Sequence, residues 1–104
     1  MGTRCYFGTG GKGRGYKRDQ FSAPKDVAVD SQKNLIVVDA DNNRVMKWVP
    51  NANSGVVVAG GNREGARLDQ LEARPCGVAV DSDQNVFVTE ERNHRVVKWE
   101  PTAD

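Results

Sequence analysis

Two matching half-chains, each a series of short β-branched runs broken by Gly, Pro, Asp and Asn, with no 3.6-residue apolar period, predict an all-β fold. Repetition decides the architecture first. Pro24 and Pro75 stand 51 residues apart, and from there the two copies run in register without a gap. Val27-Ala28-Val29-Asp30-Ser31 recurs as Val78-Ala79-Val80-Asp81-Ser82. Asn34 and Val37 return as Asn85 and Val88. Asn42, Arg44, Val45, Lys47, Trp48 and Pro50 return as Asn93, Arg95, Val96, Lys98, Trp99 and Pro101. Upstream the offset is 50, with Gly10-Gly11 against Gly60-Gly61, Gly15 against Gly65, and Asp19-Gln20-Phe21 against Asp69-Gln70-Leu71. One inserted residue near Arg74 accounts for the change.

The second copy shows the elements in order. Val56 to Ala59 is a β-branched run stopped by Gly60-Gly61. Gly77 to Asp81 is a strand followed by the polar turn Ser82-Asp83-Gln84-Asn85. Val86 to Glu90 alternates with period two, and Arg95 to Trp99 is a further strand ended by Pro101. Four strands per unit of about 50 residues, joined by tight turns, make one blade of a β-propeller. With strands lettered a to d from the channel outward, the chain reads d (Tyr6 to Thr9), a, b, c, d, a, b, c. The organisation expected is a tail at 1–5, a first repeat at 6–54, a second at 55–101 and a tail at 102–104. The last blade lacks an outer strand of its own, so the two blades are partial, or are completed by oligomerisation.

Pro-x-x-Val-Ala-Val-Asp, then Asn-x-x-Val, then Asn-x-Arg-Val-x-Lys-Trp resembles the NHL repeat, which is named for an Asn-His-Leu triplet. Asn93-His94 matches the first two positions of that triplet, with Arg95 in place of Leu, and Asn42-Asn43-Arg44 is the looser copy. The resemblance covers residues 6 to 101. It implies a six-bladed, TolB-like propeller, of which this chain supplies two blades. Kelch repeats share the period and the Gly-Gly, but their downstream Tyr and Trp pattern is missing here.

Hydrophobic residues at 38% and charged residues at 28% suit a folded soluble domain rather than a disordered chain. No apolar run reaches the roughly 18 residues of a membrane span, and no signal-peptide stretch opens the sequence. Met1-Gly2 starts a myristoylation pattern that Tyr6 breaks. Cys5 and Cys76 are two and far apart, which indicates neither a disulfide framework nor a zinc site, and a cytoplasmic setting is the default. The net charge of +1 names no partner, yet its distribution is uneven. Residues 1 to 26 hold Arg4, Lys12, Arg14, Lys17, Arg18 and Lys25 against Asp19 and Asp26.

Residues identical in both copies are assigned to the scaffold. Trp48 and Trp99 are expected to pack between blades. Arg44 and Arg95 are expected to pair with Asp39 and Glu90 across strands. Asp30 and Asp81 are expected to accept backbone N–H bonds in turns. Three chemical motifs are set aside. Gly8-x-Gly10-x-x-Gly13 is followed by no helix, which dinucleotide binding requires. Asp39-x-Asp41-x-Asn43 begins like a calcium loop, but Arg44 replaces the required Gly and Pro50 the required Glu. His94 is the single histidine, so no Ser-His-Asp set can be assembled around it. No catalytic residue, metal site or cofactor is therefore assigned.

The d-to-a and b-to-c loops leave an antiparallel blade on the same side. They place Lys12, Arg14, Lys17 and Arg18 from one copy, and Arg63 and Arg67 from the other, on one basic face diluted by Asp39, Asp41, Glu90 and Glu91. The expected function is a non-catalytic scaffold that presents these loops to a protein partner. RNA, held through phosphates, is the alternative. A blade has two apolar faces, and an isolated pair leaves some of that surface bare. The expected remedy is either further blades of a longer chain or a trimer closing a six-bladed ring. In the longer-chain case the parent is a ubiquitin-ligase or lyase type whose catalytic part lies elsewhere.

Overall fold

The computed structural model describes residues 10–61 and 75–101. Seven strands form two antiparallel sheets. β1 (Pro24–Val29), β2 (Leu35–Asp39), β3 (Arg44–Trp48) and β4 (Val56–Gly60) lie in that order in the first sheet. β5 (Gly77–Val80), β6 (Val86–Glu90) and β7 (Arg95–Trp99) make the second. These are the expected blades, the second with three strands among the described residues. The run Tyr6 to Thr9, read as an outer strand, lies outside the described residues, as do the tails at 1–5 and 102–104. Each sheet meanders, so every neighbouring pair is joined by a short local connection, which keeps loop-closure cost small.

Blade and repeat do not coincide. β4 pairs with β3 through Arg44 to Gly60 and Val45 to Ala59, whereas the repeat bounds expected from the sequence put Val56–Gly60 in the second repeat. The first sheet is thus closed by a strand from the next repeat.

The turns repeat as faithfully as the strands. Asp30 accepts N–H bonds from Gln32 and Asn34, both at 2.9 Å, and its second oxygen takes the Asn34 side-chain amide at 2.9 Å. Asp81 accepts from Asp83 and Asn85 at 3.0 and 2.9 Å, and from the Asn85 amide at 3.0 Å. Lys33 and Gln84 occupy the same left-handed position, at φ 70° and 69°. Asn43 and His94 do likewise at 52° and 51°. Left-handed backbone is tolerated several-fold better by Asn, Asp and His than by other side chains. The middle residue of Asn42-Asn43-Arg44 and Asn93-His94-Arg95 is therefore fixed by backbone geometry, without any call on its side-chain chemistry.

Period-two alternation gives each sheet two faces. On the first sheet, Ile36, Val38 and Val45 point toward the second sheet, where they join Val86 and Val88 in one core. Val78, Val80 and Trp99 pack against it. The opposite face of the first sheet carries Val37, Met46 and Trp48, packed with Phe21, Leu35, Ala52 and Val57. Trp99 therefore packs between blades as expected. Trp48 fills the equivalent place on the outer face, where Phe21 covers it at a ring-centroid distance of 5.6 Å.

Among the described residues, two polar side-chain ties join the sheets. Asp26 sits at the inner edge and bridges adjacent innermost strands: one oxygen accepts the Val27 N–H at 2.9 Å, the other the Val78 N–H at 3.0 Å. Gln84 donates across the joint to the Ser31 hydroxyl at 3.1 Å.

Candidate functional site

The candidate basic face is built on a buried acid. Asp39 ends β2 with its side chain fully enclosed. One oxygen accepts the Ser22 N–H at 2.7 Å; the other accepts Arg44 Nε and Asn42 Nδ2, both at 2.8 Å. The ion pair expected from the five-residue spacing is present, and its twin joins Arg95 Nε to Glu90 at 2.7 Å, with Asn93 donating to Glu90 at 3.0 Å. Charge-assisted contacts of this kind are shorter and stronger than neutral ones.

Arg44 does more than neutralise Asp39. Its outer nitrogen donates to the carbonyls of Lys17 and Gln20 at 2.9 and 3.2 Å. Asn42 reaches the Gly15 carbonyl at 2.9 Å, and the Gly55 N–H reaches the Arg18 carbonyl at 2.7 Å. Gln20 bridges the Lys12 carbonyl and the Lys17 N–H at 3.2 and 3.4 Å. The loop from 10 to 23 is thus held by its backbone from below. Its cationic side chains at Lys12, Lys17 and Arg18 are exposed, and Tyr16 stands among them at 76% exposure.

The sequence-predicted residues do not all share this role. Lys12, Lys17 and Arg18 come together on one loop. Arg14 is exposed as well but is tethered: its Nε donates to Ser22 Oγ at 3.1 Å, and its guanidinium lies 3.9 Å from Asp41. Ser22 Oγ in turn donates to Asp41 at 3.1 Å. The contact between the 10–23 loop and the b-to-c loop confirms that they share a side of the blade. It also shows Asp41 cancelling part of the charge there. Arg63 and Arg67 lie outside the described residues. The carboxylates of the calcium-like run already have protein donors, Asp39 from Arg44, Asn42 and Ser22, and Asp41 from Ser22.

Below the loop opens a cleft of about 540 Å³, lined by Lys12, Asp19, Lys33, Trp48, Asn51 and Asn53 among others. Sequence reasoning did not find it, because its walls come from the 10–23 loop, the β1–β2 turn and the β3–β4 connection, which are far apart in the chain. Nor did it single out Asp26. The available signal was a difference between copies, since Asp26 becomes Gly77 inside an otherwise repeated stretch.

The fold and the duplicated turn and ion-pair geometry define a chain of β-propeller blades. The family model described as NHL repeat matches residues 21–48 and 73–99, and the chain belongs to that family. No curated protein matches it.

Proposed function

We propose that this chain is a non-catalytic propeller module that presents Lys12, Lys17, Arg18 and Tyr16 to an acidic segment of a protein partner. The observation that carries the reading is the division of labour in the 10–23 loop. Its carbonyls are consumed by Arg44, Asn42 and Gly55, while Lys12, Lys17 and Arg18 are exposed without side-chain partners among the described residues. A loop held in this way meets its partner with little further ordering cost. Family membership supports an interaction role in general terms. The exposed valines Val27, Val29 and Val96 support a reading in which more blades complete the ring, six in all, supplied by two further copies or by a longer chain.

RNA is the second reading, favoured by the exposed ring of Tyr16 between cations, an arrangement suited to base stacking over a held phosphate backbone. Both readings are tested by titrating the protein with an acidic peptide and with oligo-uridylate at low and high salt. The expected result is peptide binding that weakens with salt. The triple variant Lys12→Glu/Lys17→Glu/Arg18→Glu should lose about tenfold in affinity, the sum of three exposed contacts near 0.5 kcal/mol each. Tighter binding of the oligonucleotide makes RNA the partner. No binding of either at low salt rejects the basic face altogether.

A further inference from the structure

We infer that the cleft below the loop anchors the acidic partner segment, taking one of its apolar side chains while Lys12 and Lys33 hold a neighbouring carboxylate. The inference rests on the acidic-peptide reading of the loop face and adds where such a peptide is gripped, and by which chemistry. The cleft is preformed. Phe21 lies over Trp48 at a ring-centroid distance of 5.6 Å, and Gly10 sits so close to Phe21 that a Cβ there would come within 2.8 Å of the ring. The Gln20 side-chain amide donates to the Lys12 carbonyl at 3.2 Å. The loop wall is therefore fixed against the sheet. The opposite wall is apolar, with Leu35, Trp48 and Val49, and Val49 is 51% exposed. The volume of about 540 Å³ falls in the range of ligand pockets, roughly 300–1,000 Å³. Val27 and Val29 of the inner strand are not among its walls. With the loop along one side, the cleft admits a side chain or a single stretch of chain rather than the face of a sheet.

The repeat supplies a control. Lys33, Leu35, Trp48, Val49 and Pro50 correspond, 51 residues on, to Gln84, Val86, Trp99, Glu100 and Pro101, and those five line the equivalent niche at the joint between the sheets. There the first sheet fills the niche with Ile36, Lys47 and Val58 and leaves about 70 Å³. The filled niche shows what such a place accepts: apolar side chains beside one charged side chain. At the open cleft the charge is reversed. Lys33 stands in place of Gln84 and Val49 in place of Glu100, so the acid that lines the niche with the incoming Lys47 is gone and a cation is added. The open cleft carries Lys12 and Lys33 against Asp19, two minus one or +1, where the second sheet lines the filled niche with Glu100, or −1. An occupant that brings a lysine, as the first sheet does, meets repulsion here, and one that brings a carboxylate meets attraction. A second copy of this chain would bring Lys98, the counterpart of Lys47, and is disfavoured on the same ground. The apolar side chain in the cleft supplies the affinity, and the cations at its rim select the acidic flank.

The test is fluorescence anisotropy of short labelled peptides with blocked ends, titrated with the full chain at low salt. One peptide places glutamates around a central leucine, the second places the same glutamates around alanine, and the third places lysines around leucine. Wild type should bind the first about tenfold more tightly than the second, the worth of burying the larger side chain, and the third most weakly. Lys33→Gln/Val49→Glu gives the open cleft the residues of the filled niche. Both replacements already stand at the equivalent positions of the second copy, and Gln84 holds the same left-handed backbone as Lys33, so the double variant should fold, with circular dichroism as the check. It should erase the tenfold preference for leucine over alanine. Equal binding of the leucine and alanine peptides by wild type, or a preference that the double variant leaves intact, overturns the cleft and leaves the loop-face reading standing. Tighter binding of the lysine peptide overturns the acidic occupant. No binding of any peptide rejects the loop face and the cleft together.

Discussion

Arg44 and Arg95 occupy the same repeat position and hold the same kind of partner, yet they should not matter equally. The Arg44 side chain is 9% exposed and that of Arg95 is 23% exposed. Arg44 also serves two loop carbonyls. Removing one member of a buried pair leaves an uncompensated charge. Arg44→Met is therefore expected to cost about 3 kcal/mol in urea unfolding, and Arg95→Met somewhat less, because the Arg95 side chain is the more exposed of the two. The paired turns respond to acid. Burial raises the Asp30 carboxyl, but the Asn34 side chain and the N–H groups of Asn34 and Gln32 outweigh it, so its pKa falls below the ordinary 3.8. The Asn85 side chain and backbone hold Asp81 below 3.8 in the same way, against a smaller opposing effect of burial. A depressed carboxyl contributes stability that is complete above its unfolded pKa and disappears as pH falls through the folded one. The chain should thus weaken on acidification to below 3.8. Asp30→Asn/Asp81→Asn should narrow the stability difference between neutral and acid urea melts.

Among the strands, β2 and β3 are enclosed by neighbours on both edges and by packing on both faces, while β7 has β6 on one edge only among the described residues. Amide exchange should therefore be slowest in Ile36–Val38 and Val45–Met46 and faster in Arg95–Trp99; equal protection would contradict this ranking. The β3–β4 connection has a packing constraint of its own. A Cβ on Gly55 would meet Trp48 Nε1 at 2.7 Å and Cε2 at 2.8 Å, and Phe21 keeps the indole from moving away. Gly55→Ala should cost about 1–3 kcal/mol, read from tryptophan fluorescence during urea unfolding. Such elements were the most legible part of the sequence. Asp30, Asn34, Asn42 and Arg44 act on neighbours within five residues, so their roles follow from spacing alone. What long-range closure decides was hidden. The Arg14–Asp41 contact spans 27 positions and ties an expected surface cation to an acid of the b-to-c loop. Asp26 reaches Val78 across 52 positions, and the site at Lys12, Lys17 and Arg18 acquires its rigidity from Arg44 more than 25 positions away.

At the scale of the whole molecule, two surfaces of different physical origin coexist. The loop face attracts through charge, which salt screens within about 10 Å at 0.1 M. The exposed valines Val27, Val29 and Val96 attract through apolar area, which salt does not weaken and sulfate strengthens. Raising ionic strength should therefore reduce peptide binding at Lys12, Lys17 and Arg18, read by titration at two salt concentrations. An affinity that does not change with salt would mean that apolar contact, not charge, holds the peptide.

The borrowed strand β4 makes the covalent order and the spatial order run out of phase. A protease nick within Asn51–Ser54 falls at the border of the two repeats, where a cut between independent modules would release two folded halves. Here the upstream piece would lose Val56–Gly60 from its margin, and the downstream piece would carry that ribbon as a dangling arm. The fragments should stay clasped together under native conditions, separating only when denaturant loosens the clasp.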